Sequence, residues 1–172
     1  MRKGIHNVFG KQALVQRCQW HKRENVIAYL PKSQQVIFRK KLQKAYRQKN
    51  YKQVKQELAS IRKELNVLNQ SAVNSLDEVL EETLTLHRLG MFEFLGISLK
   101  TTNCLESLNS QLEQYTRRVS HWKNSSQRQR WVATALLEIE PNLRKIKGYK
   151  HLLLLRWAIE MDDDKQILSD VA

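Results

Sequence analysis

The stretch YKQVKQELASIRKELNVLN, residues 51–69, decides the fold class of this 172-residue chain. Its apolar residues recur at steps of four, three, four and three, which is the spacing of one face of an α-helix. The pattern therefore predicts an amphipathic helix that buries one stripe of side chains. The residues of this stripe are Val54, Leu58, Ile61, Leu65 and Leu68.

The same periodicity continues in SAVNSLDEVLEETLTLHRLG, residues 71–90. Only a short link at residues 69–70 separates the two stretches, so we expect an antiparallel helix pair. Further helices are predicted at residues 21–31, 102–119, 126–140 and 149–161. We interpret residues 91–100 as an apolar connector and ALVQRC, residues 13–18, as the one β-strand. A lone strand leaves its backbone groups unpaired, which makes this inventory unusual.

The charge of the chain is strongly positive and uneven, with 30 Lys and Arg, 17 Asp and Glu, and a net charge of +13. Residues 1–70 carry 17 basic residues against 3 acids, and residues 99–157 carry 11 against 4. Two basic regions favour a polyanionic partner such as nucleic acid, because Lys and Arg neutralise phosphates and release counterions. The alternative is an ordinary basic protein with solvated helix faces.

Other classes of function have little support in the sequence. No apolar run approaches the roughly 20 residues of a membrane span, so no membrane association is expected. The two cysteines do not form a disulfide framework, which favours a reducing, intracellular setting. Gly-rich phosphate loops and nucleophile–base pairs are not apparent, which argues against nucleotide hydrolysis and acyl transfer.

The stretch TTNCLESLN, residues 101–109, places a carboxylate, Glu106, among amides and cations. At helical spacing it shares a polar stripe with Asn103, Asn109, Glu113 and Arg117, side chains that suit a hard cation and phosphate oxygens together. The alternative is a solvated helix face with an ion pair between Glu113 and Arg117. The opposite stripe is predicted to be core and contains Leu105, Leu108, Leu112 and Tyr115.

Two further patterns have an open role. Cys18 and His21 in QRCQWHK have the spacing of half a zinc site, so a zinc-stabilised module is one alternative, although the other two ligands are not obvious. Trp122, next to Lys123 in HWKN, is a candidate for stacking on a nucleotide base.

Together these segments resemble the Mutator-type transposases of bacterial insertion sequences. VQRCQWHKRENVIAYLP resembles that family's Q-R-C-x-x-H-K segment, and KTTNCLESLNSQLEQYTRRV with a following Trp resembles its T-T-N-x-x-E-S-x-N segment. The two blocks come in the family's order with a helical region between them. The resemblance covers about residues 4–157.

The resemblance implies an RNase H-like core in which an Asp-Asp-Glu triad binds two divalent ions, Mg²⁺ or Mn²⁺, and cuts and joins DNA strands. Glu106 corresponds to the glutamate, so its implied role is catalytic and metal-ligating. The expected partners are the DNA of element ends and target, with self-association or mixed assembly with a full-length transposase. We expect DNA contacts from Lys22, Arg23, Lys100, Asn103, Asn109, Arg117, Arg118 and Lys123.

The predicted fold class is mainly α, with a partial RNase H-like core and an all-helical insertion. Residues 1–31 would form part of the core as strand and helix, and residues 32–98 the insertion. Residues 99–172 would supply C-terminal core helices, Glu106 and an acidic tail. The implied location is the bacterial cytoplasm, in association with the nucleoid.

The chain departs from the family pattern in its acids. Both family aspartates precede the Q-R-C block, whereas no Asp or Glu precedes Cys18 here and the first acid is Glu24. We therefore expect the C-terminal part of a transposase that does not cleave DNA alone and binds no metal tightly. The alternative is a non-catalytic basic helical protein that binds nucleic acid or interferes with transposition.

Overall fold

The computed structural model describes residues 2–10 and 13–171, and their side chains except those of residues 2 and 163–171. This part of the chain is mainly helical, as predicted. Two 3₁₀ turns, Glu140–Asn142 and Tyr149–His151, accompany the α-helices. The α-helices are α1 (Arg2–Phe9), α2 (Gln19–Ala28), α3 (Lys32–Tyr46), α4 (Tyr51–Leu68), α5 (Gln70–Asp77), α6 (Leu80–Thr83), α7 (Thr85–Arg88), α8 (Phe92–Leu99), α9 (Asn103–Thr116), α10 (Ser125–Ile139) and α11 (Leu152–Val171).

The chain divides into two compact units. The large unit comprises Met1–Thr101 and Gly148–Ala172, and the small unit comprises Thr102–Lys147. This division reflects packing only, so the predicted three-part organisation at residues 31/32 and 98/99 stays a prediction. No helix among the described residues is long and apolar enough to span a membrane.

The antiparallel helix pair predicted at residues 51–90 is confirmed for α4 and α5, but the second predicted helix ends at Asp77 and the chain continues in the short helices α6 and α7. α4 and α5 are separated by Asn69 alone. Ion pairs show that the chain reverses, because Arg62 bonds to Asp77 at 2.7 Å, whereas Lys55, earlier in α4, bonds to the later Glu81 at 2.7 Å. Of the predicted stripe, Val54, Leu58, Ile61 and Leu65 are buried and Leu68 is half exposed.

The core of the large unit is formed by α2 to α5 and the segment after them. Apolar side chains from each of these helices meet in one cluster, so each helix buries one face and exposes the other. Tyr51 and Leu80 pack at its margin. The cluster consists of Val26, Ile27, Leu30, Phe38, Leu42, Ala45, Tyr46, Val54, Leu58, Ile61, Leu65, Ala72, Val73, Leu76 and Leu84.

The predicted strand at residues 13–18 is wrong, and an RNase H-like core with a strand is not supported, since the described residues contain no β-strand. The segment runs beside α6 and α7 instead. Arg17 N–H donates to the Glu82 carbonyl at 2.7 Å, and Gln16 Nε2 donates to the Thr83 carbonyl at 2.9 Å. Carbonyl groups at the end of α6 thus accept one hydrogen bond from the backbone and one from a side chain of this segment.

The apolar connector predicted at residues 91–100 is also wrong, because most of it forms α8. Phe92 and Leu95 are buried and anchor this short helix to the large unit. Gly96 lets the Phe92 ring lie against the helix, where a Cβ at position 96 would approach Phe92 Cδ2 to 2.9 Å.

The predicted core stripe of α9 is wrong for its two ends. Leu105 is 57% exposed and Tyr115 is 44% exposed, while Leu108 and Leu112 are partly buried. The buried residues of the small unit are Ala135 and Ile139, both on α10. A unit of this size has too little interior to enclose a full helical stripe, since the fraction of surface that is buried falls as a chain becomes shorter.

Candidate DNA-binding and metal-ligand residues

Glu106 lies in the first turn of α9, with its side chain exposed. The Thr102 hydroxyl donates a hydrogen bond to the Glu106 carboxylate, and the Glu106 N–H donates to the Thr102 carbonyl at 2.8 Å. A carboxylate at a helix N-terminus is favoured by the partial positive charge of the free N–H groups. The TTN segment therefore holds Glu106 at the surface by a local contact.

The other polar residues predicted beside Glu106 are exposed as well. Asn103 and Asn109 lie at steps of three on either side of it, so all three share one face of α9. The alternative ion pair between Glu113 and Arg117 does not form in the described part of the chain, where their contact is the helical bond from the Arg117 N–H to the Glu113 carbonyl at 2.8 Å. Arg117 thus stays available to an anion.

Basic side chains follow at the C-terminal end of α9. Arg117, Arg118 and Lys123 are exposed, and Trp122 is partly buried with its ring edge on Trp131, 6.2 Å between centroids. The small unit carries eight Lys and Arg against four Glu. Its surface therefore combines four exposed carboxylates, Glu106 among them, with an excess of cations.

The described residues do not by themselves form the metal centre that the family implies. They contain no group of three or more His, Cys, Asp or Glu side chains that could hold a metal ion. Along α9 the next carboxylate, Glu113, is seven residues on, about 10 Å along the axis at 1.5 Å per residue. Glu106 is therefore a single candidate ligand in this part of the chain.

Cys18 and His21 form a helix cap in the large unit. Cys18 is the N-cap residue of α2, and its Sγ accepts a hydrogen bond from the His21 backbone N–H at 3.5 Å. An N-cap side chain normally binds an N–H two or three residues ahead. The three-residue spacing that suggests half a zinc site thus also allows Cys18 to accept an N-cap hydrogen bond at the start of α2.

Two of the cations predicted to contact DNA are engaged within the large unit. Lys22 is 5% exposed, and its Nζ donates to the Ser75 carbonyl and to Glu78 Oε2. Arg23 is partly buried against Glu24, with 2.7 Å between Nη2 and Oε1. Arg39 bonds to the same carboxylate, and its hydrogen bond lowers the pKa of Glu24.

A cleft in the large unit contains residues that sequence reasoning missed. Trp20 and Arg47 line it, together with the predicted residues Arg23 and Lys100. Trp20 lies inside the QRCQWHK motif between Cys18 and His21. Its position beside a run of cations in the sequence could have identified it as a candidate binding residue. Arg47 has no such signal, because only the approach of α3 to α2 brings it there.

Residues 1–145 match the protein family described as Transposase, Mutator family. No curated protein and no solved structure shows significant similarity to the chain. Because the match covers most of the chain, the chain belongs to the Mutator family of transposases. Its function is therefore related to transposition, for which DNA is the substrate.

Proposed function

We propose that this chain binds DNA during transposition through one surface of the small unit. We call this surface the α9 face, and it comprises Asn103, Glu106, Asn109, Arg117 and Arg118. The observation that supports the proposal is the exposure of all five side chains on or directly after α9. Exposed guanidinium groups bind phosphate oxygens in a bidentate manner, and amides donate to the same oxygens.

Within this proposal Glu106 is one carboxylate ligand of a Mg²⁺ or Mn²⁺ ion at the DNA backbone. Such ions take one or two carboxylates together with phosphate oxygens, so a single exposed Glu beside phosphate-binding cations has suitable chemistry. The remaining ligands would come from outside the residues described. The net charge of +13 supports DNA as the polyanion.

The test of DNA binding is the salt dependence of affinity for a short duplex, measured by fluorescence anisotropy. The association constant should fall linearly on a logarithmic plot between roughly 50 and 200 mM salt. Arg117→Ala and Arg118→Ala should each reduce the slope by about 0.9, the value for one phosphate contact. Lys52→Ala, which removes an exposed cation from α4, is the matched control and should leave the slope unchanged.

We further propose that the polypeptide of 172 residues does not cut DNA alone. Support comes from its carboxylates, since no acid precedes Glu24 whereas the family triad has two aspartates before the Q-R-C block. A nicking assay with Mg²⁺ or Mn²⁺ on supercoiled DNA should show no turnover above background. Turnover that disappears in Glu106→Gln would contradict this part of the proposal without contradicting the DNA-binding part.

The second candidate is interference with a full-length transposase, by competition for DNA or by mixed assembly. The strong positive charge of the chain supports this role, because it favours binding to the same DNA. Adding the chain to a transposition assay should reduce product in proportion to its DNA affinity. Arg117→Ala should relieve competition for DNA, whereas it should leave inhibition through mixed assembly intact.

A further inference from the structure

A cleft of about 150 Å³ in the large unit brings one exposed tryptophan together with three cations. Trp20 and Arg23 come from α2, Arg47 follows α3, and Lys100 follows α8. Gln43 and Thr101 add hydrogen-bonding groups at the lining. No Asp or Glu lines the cleft.

Two of the three cations have no carboxylate partner among the described residues. Arg23 is paired with Glu24, but Arg47 forms no ion pair in this part of the chain. Lys100 has its Nζ above the Phe92 ring, 6.0 Å from the centroid, and forms no ion pair there either. A concave site with two uncompensated positive charges concentrates the field for an anion.

Trp20 presents a large aromatic surface beside these charges. Its side chain is 50% exposed, and its ring meets the His21 ring edge to face with 4.9 Å between centroids. An exposed tryptophan by itself is unremarkable on a protein surface. Aromatic rings beside cations that contact the nucleic-acid backbone, however, are the combination that binds unpaired nucleotides.

We infer that this cleft binds an unpaired nucleotide of a DNA strand, with the base stacked on Trp20 and its phosphate between Arg47 and Lys100. The inference rests on the proposed function, since the ligand is DNA. A duplex does not fit this site, because its base faces are covered by neighbouring base pairs. A volume of about 150 Å³ suits a phosphate group rather than a groove of duplex DNA. Stacking makes no base-specific hydrogen bond, so the cleft should accept any base.

The experiment compares a duplex carrying a short single-stranded overhang with a blunt duplex of the same paired length, again by fluorescence anisotropy. Wild type should bind the overhang substrate more tightly. Trp20→Ala should weaken that binding by about 5-fold to 150-fold, the range for loss of one aromatic–base stack, and change blunt-duplex affinity less than about twofold. Trp20→Phe should recover part of the loss.

The matched control is Tyr29→Ala, which removes an equally exposed aromatic, 51% against 50%, just after the same helix but outside the cleft. It should leave both affinities unchanged. Arg47→Ala should weaken overhang binding and Lys52→Ala should not. Circular dichroism of each variant checks that helix content is retained.

A second readout locates the contact directly. An overhang containing 5-iododeoxyuridine, irradiated in the complex, should crosslink to Trp20, as mapped by mass spectrometry. Equal affinity of wild type for the two substrates would overturn the inference, and so would equal losses in Trp20→Ala and Tyr29→Ala. In either case, binding of wild type to the blunt duplex would still support the proposed function. Failure of wild type to bind either substrate would overturn both.

Discussion

Lys22 donates from its ammonium group to the Glu78 carboxylate across 3.3 Å, although the lysine side chain is 5% exposed and the glutamate side chain is 70% exposed. The same ammonium group donates to the carbonyl of Ser75. The Lys22 ammonium group is thus a buried donor that joins α2 to the end of α5. One of its acceptors is the exposed Glu78 carboxylate, and the other is the backbone carbonyl of Ser75. A solvated carboxylate contributes little to such a pair, so the carbonyl contact and the packed lysine stem matter more.

Lys22→Ala should therefore lower the free energy of unfolding by about 1–3 kcal/mol, because it removes buried contacts and leaves the Ser75 carbonyl without its donor. Glu78→Gln should cost less than about 1 kcal/mol, since its side chain is exposed. Urea unfolding followed by circular dichroism measures both. Equal losses in the two variants would contradict the asymmetry. Lys52→Ala, at an exposed position of α4, should stay within about 0.5 kcal/mol of wild type.

The second prediction concerns Asn69, the single residue between α4 and α5. Its Oδ1 accepts from the N–H groups of Ser71 at 2.8 Å and Ala72 at 3.2 Å, and its Nδ2 donates to the Tyr29 carbonyl at 3.0 Å. Asn69→Ala should cost about 1–2 kcal/mol of stability, the usual range for loss of an N-cap. The measurement is again urea unfolding.

Asn66→Ala is the matched control for Asn69, because Asn66 is exposed inside α4. Alanine is the better helix former there, so this variant should be neutral or gain up to about 0.7 kcal/mol. If the same substitution lowers the free energy of unfolding at Asn69 and raises it at Asn66, the N-cap hydrogen bonds are identified as the cause. A similar loss in both variants would contradict it.

The third prediction concerns Gly148, where the chain enters the large unit again. It has φ of +84°, and a Cβ there would lie 2.2 Å from the Phe94 carbonyl oxygen. Gly90 also has positive φ, +67°, but its Cβ would meet nothing within 4 Å. Gly90→Ala should cost about 1–2 kcal/mol for the left-handed backbone alone, and Gly148→Ala about 1–3 kcal/mol more for the clash.

Thermal unfolding of the two glycine variants separates the clash from the backbone strain. In Gly148→Ala the turn Tyr149–His151 should lose its packing against α8, where the centroid of the His151 ring lies 4.5 Å from that of the Phe94 ring. Faster amide hydrogen exchange at residues 149–155 would report this. Indistinguishable melting temperatures for the two variants would argue against the close approach to Phe94.

The fourth prediction concerns His87 and pH. His87 is 2% exposed, stacks on Phe92 with 3.7 Å between centroids, and donates from Nε2 to the Gln48 carbonyl at 3.0 Å. Its Nδ1 is buried without a hydrogen-bond partner in the described structure. Burial lowers the pKa of His87 from 6.5 to about 4, so the native protein holds a neutral imidazole.

Between pH 6.5 and about 4 the unfolded chain binds a proton at His87 that the folded chain does not. Stability should therefore fall as the pH falls through this window, by up to about 3 kcal/mol, and this contribution should level off below about pH 4. Urea unfolding at a series of pH values measures the slope. His87→Gln should flatten it, whereas His121→Gln, an exposed histidine, should keep it.

The sequence was a good guide to helices and to family. The four-three periodicity at residues 51–90 predicted an antiparallel helix pair because helical neighbours lie three and four residues apart. It failed at residues 13–18 and 91–100, where short apolar runs look alike in strands, connectors and helices. There, the backbone partners at Glu82 and Thr83 and the buried contacts of Phe92 selected the conformation.

By itself the sequence determined the helical class, the positive charge, and the two blocks that mark a Mutator-family transposase with Glu106 in the second, since these depend on residue type and local spacing. Only the tertiary structure decided which cations are available. It buried Lys22 against Ser75 and brought Arg47 and Lys100 to Trp20. The physical reason is that burial and charge pairing depend on distances between helices, which are set by packing and not by the order of residues in the chain.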